Sequence, residues 1–312
     1  MVKPTGLDSL IVDTVRLRID AAYDGTAFAG WSSQPGLRTV QGTIEAALAT
    51  VLRDPAEQVR LVVAGRTDAG VHATGQVAHL DLSAERWAAL AADRRRGEPT
   101  TALARRLNGV LASADPDVVI TGIALAPAGF DARFSPIWRR YAYRIADEAA
   151  LRDPLRRAHT LWQPGTLDAA AMDALAQSLV GLHDFGAFCK PREGSTTIRT
   201  LLDYRWRRDD DGVLLATVRA DAFCHSMVRA LVGAAVAVGL GRREPDAIVE
   251  LLRSAQRTSL FPVVAAKGLT LVEVGYPPDA ELAARAEQTR ARRQPLGSAS
   301  PAATAADGAS SD

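Results

Sequence analysis

Between Val15 and Tyr23 the chain alternates, with Val15, Leu17, Ile19 and Ala21 apolar and Arg16, Arg18 and Asp20 charged. A period of two predicts a half-buried strand, and Asp24-Gly25 predicts the turn that ends it. The period then changes. Val40, Ile44, Ala47, Leu48, Val51 and Leu52 recur on one helical face behind Thr39, a good N-cap residue, which predicts an amphipathic helix. "VRLVVAG" (59–65) reads as a second strand. "QVAHLDL" (76–82) reads as a third, with Ala78, Leu80 and Leu82 on one face and His79 on the polar one. The residues between them become a loop at a sheet end. The stretch 83–100 has the look of a local insertion, because its Arg-Arg-Arg-Gly-Glu-Pro run cannot continue a helix. A helix ("ALARRLNGVL", 102–111) and a strand ("DVVITGIALAP", 117–127) follow.

The second half repeats this logic. "WRRYAYRI" (138–145) predicts a strand, and Leu167, Ala171, Leu175 and Leu179 share a helical face that Gly181 ends. "TIRTLLDYRWRR" and "VLLATVRADAF" predict a hairpin around Asp209–Gly212. The apolar run 227–241 falls short of the roughly 20 residues of a membrane span and reads as a buried helix. A helix over 245–254 and a strand over 269–276 close the pattern. Two halves that each mix strands and helices predict an α+β fold with a pseudo-repeat. The expected division is 1–130 and 131–278, and the Ala-, Ser- and Arg-rich residues 279–312 are expected to be a disordered tail.

Composition narrows the function classes. With 37 basic and 36 acidic residues the net charge is +1, so any polyanion site must be a local patch rather than a global field. Cys189 and Cys224, the only cysteines, form no CxxC, no metal spacing and no disulfide framework, and a reducing, cytoplasmic setting is the expectation. No opening segment joins a basic start to a continuous apolar stretch. The signatures GxSxG, GxGxxG and the P-loop are all missing from the chain.

Asp68 stands out in "VVAGRTDAGVHATGQVAHLDL" (62–82). Arg, Asp and Gly in a short connection are ordinary turn residues. Here they sit directly beside an apolar run, and Ala69 and Gly70 leave room for something to approach. A partly buried carboxylate beside Arg66 favours the charged form, which suits a nucleophile better than a general acid. His72 and His79 lie seven apart across a loop and a strand, a poor metal spacing. His72 is expected to bond within the loop. Cys224-His225 invites a thiol-nucleophile reading, but neighbours in an extended strand point to opposite faces. "DARFSPIWRRYAYR" (131–144) interleaves arginines with aromatics. This pattern fits either a strand with one aromatic and one basic face or a basic groove with a stacking platform for an unpaired base. Arg229, one turn into the apolar helix, calls for an acidic partner on a neighbouring element.

Seven stretches together resemble the tRNA pseudouridine synthase A (TruA) family: "YDGTAFAGW" (23–31), "GRTDAGVHATGQV" (65–77), "FDARFSPIWRRYAYRI" (130–145), "GLHDFGAF" (181–188), "TTIRT" (196–200), "FCHSMVRALVGAAVAVGLG" (223–241) and "KGLTLVEVGY" (267–276). They follow the family's order over roughly residues 15–277. The resemblance implies two ferredoxin-like halves with antiparallel sheets flanking a central RNA-binding cleft. It implies an isomerase that converts uridine to pseudouridine at tRNA positions 38–40, in the anticodon stem-loop. It also implies a homodimer that uses neither metal nor cofactor. By the same resemblance Asp68 is the catalytic aspartate, Tyr141 contacts the target base, Arg229 pairs with the aspartate and Arg66 helps place the flipped nucleotide. The family pattern departs at Ser32-Ser33, where many members carry a glutamine, at the 83–100 insertion and in the tail. Two rivals stand beside it: a catalytically silent RNA-binding protein on the same scaffold, and a glycosidic-bond hydrolase, for which no second acid stands out.

Overall fold

The computed structural model describes residues 14–92, 97–190, 196–256 and 259–291. Its centre is one large mixed sheet in the order β4-β1-β3-β10-β5-β9-β8-β7, with β2 added beside β3 and β6 beside β5. The strands are β1 (Thr14–Tyr23), β2 (Leu61–Val63), β3 (His72–Ser83), β4 (Val118–Leu125), β5 (Trp138–Ala146), β6 (Leu161–Trp162), β7 (Gly181–Asp184), β8 (Ile198–Arg208), β9 (Leu214–Ala220) and β10 (Leu269–Gly275). The helices are α1 (Val40–Leu52), α2 (Ala84–Ala91), α3 (Pro99–Ala114), α4 (Ala169–Ser178), α5 (Met227–Gly239), α6 (Pro245–Ser254) and α7 (Leu282–Arg290).

The periodicities place most of these elements. In β1 the alternation buries Leu17, Ile19, Ala21 and Tyr23. In α1 the side chain of Thr39 accepts a hydrogen bond from Gly42 N–H, and the six apolar positions all lie in the core. The hairpin of β8 and β9 forms around residues 209–212 in antiparallel register. α5 is buried along almost its whole length, packed on α4.

Four expectations change. The sheet is not purely antiparallel: β10 runs parallel to β3, and β5 parallel to β6. Nor are there two separate sheets. β10, from the far end of the chain, pairs with β3 on one side and β5 on the other, and so joins β1–β4 to β5–β9 in one surface. His79 is not on a solvated face. β3 is flanked by β1 on one edge and by β2 and β10 on the other, and His79 is buried with Nδ1 accepting from Ala132 N–H at 3.0 Å. Burial, reinforced by the charge of Arg16, pulls that imidazole below its ordinary range. Finally, order does not end at residue 278. α7 buries Leu282 and Ala286, and Arg290 reaches Asp131 at 2.8 Å. Two apolar anchors and an ion pair hold a segment whose composition alone predicts disorder, while residues 292–312 lie outside the described residues.

This topology produces a gap. β2 and β10 share one edge of β3: Leu61–Val63 pair with Ala78–Leu80, and Thr270 and Leu271 pair with His72 and Ala73. Residues 64–71 run between them, from the end of β2 to the start of β3. The next rung from Ala73 passes through Leu271 to Tyr141 on β5 and then Val218 on β9. Asp68 and Tyr141 are thus brought to the same part of the sheet by register alone.

Candidate active site

The loop that carries Asp68 is tied down from both ends. Ala64 N–H donates to Val77 O at 2.8 Å, and Trp31 N–H donates to Thr67 O at 3.0 Å. Below the loop, Tyr23 and Thr67 hydroxyls share a 2.7 Å hydrogen bond, and the fully buried Gln76 amide donates to both Tyr23 Oη and Gly65 O. Burial pushes the Tyr23 phenol up to about 12, against the pull of those hydrogen bonds, so the network stays in one protonation state near neutrality. Gly30 seals the arrangement. Its φ is +104°, and a Cβ there would lie 3.0 Å from Thr67 O and 3.3 Å from the Asp68 carbonyl carbon. The "YDGTAFAGW" and "GQV" stretches therefore hold the Asp68 loop from beneath.

Above the loop lies an open cleft of about 1070 Å³ that contains Asp68, Tyr141, Arg66 and Arg229 together with Arg133, Lys190 and His225. The Asp68 side chain is 37 % exposed. Two groups face its carboxylate across the cleft: His225 Nε2 at 3.6 Å from Oδ1 and Arg229 Nη1 at 3.9 Å from Oδ2. Arg229 is aimed by its own Nε–H, which donates to Val264 O at 2.7 Å. The expected acidic partner of Arg229 is thus Asp68. Arg66 differs. It is exposed on the cleft rim and forms no ion pair among the described residues, so the cation facing Asp68 is Arg229 rather than its near neighbour in sequence.

Tyr141 is buried under the cleft, its ring edge-on to Phe223 at 5.1 Å and 90°. Burial raises its phenol well above the usual tyrosine range, with the charges of Tyr23 and Asp68 pushing the same way and Arg139 opposing them. Arg139 shares the tyrosine face of β5, because positions 139, 141 and 143 alternate together. Its guanidinium donates to Ala64 O at 2.8 Å and Asp221 O at 2.9 Å. It thereby joins the strand end that leads to Asp68 to the loop that leads to His225. The aromatic and basic faces expected from the alternation are therefore mixed.

Sequence reasoning missed His225 and Phe223 as site residues and reads Arg139 only as one member of the arginine–aromatic pattern of 131–144. An extended strand would turn His225 away from Cys224. β9 ends at Ala220, however, and residues 221–226 form a loop with Ser226 in the left-handed region at φ 65°. The signal available was the start of the apolar helix at Met227, which leaves the preceding residues free to turn. The cysteine expectation also changes: Cys189 and Cys224 are joined as a disulfide with Cα atoms 5.7 Å apart, bridging the 186–188 turn to this same loop. Their separation of 35 residues hides the pairing from spacing rules. His72 finds its partners across the fold rather than within its loop, accepting from Gly25 N–H at Nδ1 and bonding Lys267 O through Nε2.

Among the described residues no three His, Cys, Asp or Glu side chains converge as a metal site, and no helix is long and apolar enough to cross a membrane.

A family model described as tRNA pseudouridine synthase matches residues 20–115 and 175–277, more than half of the chain. The two segments contain Asp68 and the loop of His225 and Arg229. A protein of Leifsonia xyli named tRNA pseudouridine synthase A is 62 % identical over 281 residues, covering 89 % of this chain and 97 % of the relative. Proteins of the same name from Frankia casuarinae and Streptomyces avermitilis are 58 % and 53 % identical, covering 90 % and 89 % of this chain and 96 % and 94 % of their own lengths. A solved structure, a dye-decolorizing protein from V. cholerae, covers 88 % of this chain and 96 % of its own at 10 % identity and a TM-score of 0.18. That overlap is too weak to carry an argument.

Proposed function

This chain belongs to the tRNA pseudouridine synthase family, and we propose that it isomerises uridine to pseudouridine at positions 38–40 of the tRNA anticodon stem-loop, with Asp68 as the nucleophile. The observation that carries this reading is the Asp68 carboxylate on a rigid loop at the cleft floor, faced by Arg229 and His225 across 3.9 and 3.6 Å.

The reaction breaks the bond from uracil N1 to ribose C1′, turns the ring and joins C5 to C1′. A target base stacked in the anticodon arm must first leave its stack, at a cost of a few kcal/mol. Stacking on the aromatic pair of Tyr141 and Phe223, together with phosphate contacts from cleft cations such as Arg66, Arg133 and Lys190, offsets that cost. A guanidinium facing the carboxylate orients it for attack at C1′ and helps hold it in place between steps. These steps call on carboxylate, guanidinium and stacking chemistry, all present in the cleft, and the proposal includes no metal or cofactor.

The same reading treats 1–130 and 131–278 as related halves on either side of the cleft. It also includes a homodimer working in the cytoplasm.

The test is an assay of purified protein with tRNA carrying tritium at uridine C5. Tritium release with pseudouridine mapped to positions 38–40 is the expected result. Free uracil as product would make the protein a hydrolase, and tight binding without release would make it a silent RNA binder.

A further inference from the structure

Isomerisation requires a proton to leave C5 as well as the glycosidic bond to move. Once C5 has bonded to C1′, C5 carries both the ribose and its original hydrogen. The C5–H bond must then break. Its electron pair restores the C5–C6 double bond, the C6–N1 π pair moves to N1, and N1 takes a proton from water. Some group must receive the proton from C5.

Most cleft residues are unsuited to that task. Arginine and lysine side chains are already protonated near neutrality. Tyr141 holds its proton firmly, because burial raises its phenol well above the tyrosine range. Cys224 is bonded to Cys189. Beside the Asp68 carboxylate, the cleft holds the imidazole of His225, whose neutral ring presents a nitrogen lone pair that can accept a proton.

The local backbone supports the assignment. His225 O accepts from Lys190 N–H at 2.9 Å, and Met227 N–H donates to Cys224 O at 3.0 Å, so the loop is pinned on both sides of the imidazole. The next residue, Ser226, is a non-glycine held at φ 65°, at the N-terminus of α5 and with no side-chain cap bond to recompense it. Backbone strain of this kind persists where the surroundings impose it, often at functional sites. The turn it makes delivers the imidazole to Asp68, with Nε2 at 3.6 Å and the side chain 43 % exposed to the cleft.

Resting on the isomerase reading above, we infer that His225 is the proton acceptor for C5: Nε2 takes the C5 proton, forms an imidazolium beside the Asp68 carboxylate, and passes the proton to solvent. Placement beside Asp68 stabilises the imidazolium while it exists and keeps the ring over the same atoms that the nucleophile serves. A purely orienting role would need only a hydrogen-bond donor at that point.

The two roles separate in single-turnover reactions of the full-length protein with tRNA carrying protium or deuterium at the target C5. Wild-type conversion tests the isomerase reading itself, and if no pseudouridine forms both readings fall together. Given wild-type conversion, His225→Ala should slow product formation by about 10²-fold, acquire a primary deuterium isotope effect absent from wild type, and regain rate on addition of free imidazole. His225→Gln, which keeps a donor toward Asp68 and cannot accept the proton, should be as slow as His225→Ala. tRNA affinity should stay near wild type in both, which shows that the variants are folded. Near-wild-type conversion by His225→Gln, or a slow His225→Ala with neither isotope effect nor imidazole rescue, would overturn the assignment.

Discussion

The two sides of the cleft are held by different kinds of structure. On the floor, Asp68 belongs to a loop whose backbone and side chains are locked by Trp31, Tyr23, Thr67 and Gln76 at 2.7–3.1 Å, with Gly30 packed against it. On the facing wall, His225 and Arg229 approach the carboxylate at 3.6 and 3.9 Å, longer than a charge-assisted hydrogen bond of about 2.8 Å. The difference teaches that the Asp68 carboxylate is held in place from below, whereas the wall groups stand about an ångström beyond contact with it. A floor that does not move keeps the reacting carboxylate in place through bond breaking, ring turning and bond making. Closure of the His225 and Arg229 side chains on a nucleotide would strengthen their charges where they are needed and let the product leave.

Mutations on the two sides should therefore fail in different ways. On the proposed reading Asp68→Asn removes the nucleophile and leaves the clamp, so conversion should fall on the order of 10⁴-fold or more, while a filter-binding assay should find tRNA affinity near wild type. Arg229→Met removes the cation from the wall. The expected loss in kcat is about 10²–10³-fold, with the melting temperature little changed, because the guanidinium's structural contact is a single hydrogen bond to Val264 O. Gly30→Ala attacks the floor instead. A side chain at φ +104° pressed on Thr67 O should cost about 1–3 kcal/mol of stability in denaturant titration and lower activity by displacing Asp68.

A smaller effect separates the cleft from the scaffold behind it. Asp147 is fully buried and bonded to both terminal nitrogens of Arg208 at 2.9 and 2.7 Å. Its own burial disfavours the charge, but the Arg208 bonds and the Leu167 N–H outweigh that and hold the carboxyl below its ordinary value of 3.8. A group with a depressed folded-state value stabilises fully above its unfolded-state value, and this is lost as pH falls through the folded one. Stability should thus decline below about pH 4, and a melting series in acid should show the Asp147→Asn protein, less stable at neutral pH, losing less than wild type does.

Much of this was legible in the sequence where local periodicity was undisturbed. β1, α1, the β8–β9 hairpin and α5 follow from spacing alone, because each buries one face or one stripe against a neighbour. Placement of Asp68 at a sheet end followed from the apolar runs on either side of it. The rest depends on contacts between distant segments. The insertion of β10 between β3 and β5 cannot be read from Leu269–Gly275, whose alternation fits any strand. α7 is polar around most of its surface and is ordered by Leu282, Ala286 and Arg290 meeting partners more than a hundred residues earlier. His225 is hidden for a different reason: the strand pattern reads on past Ala220, where β9 ends, and the alternation rule then points the imidazole the wrong way. The resemblance to the family supplied Asp68, Tyr141 and Arg229 together; the structure added the clamp beneath Asp68 and the second group facing it.

Backbone amide hydrogen exchange, with and without an anticodon stem-loop RNA, compares the floor and the wall most directly. A fixed floor and a closing wall predict that amides of residues 64–71 are well protected in both states, while those of 221–229 exchange faster in the free protein and gain protection with RNA bound. The reverse pattern, with the Asp68 loop slowing only on RNA binding and the wall unchanged, would contradict a preorganised Asp68 loop.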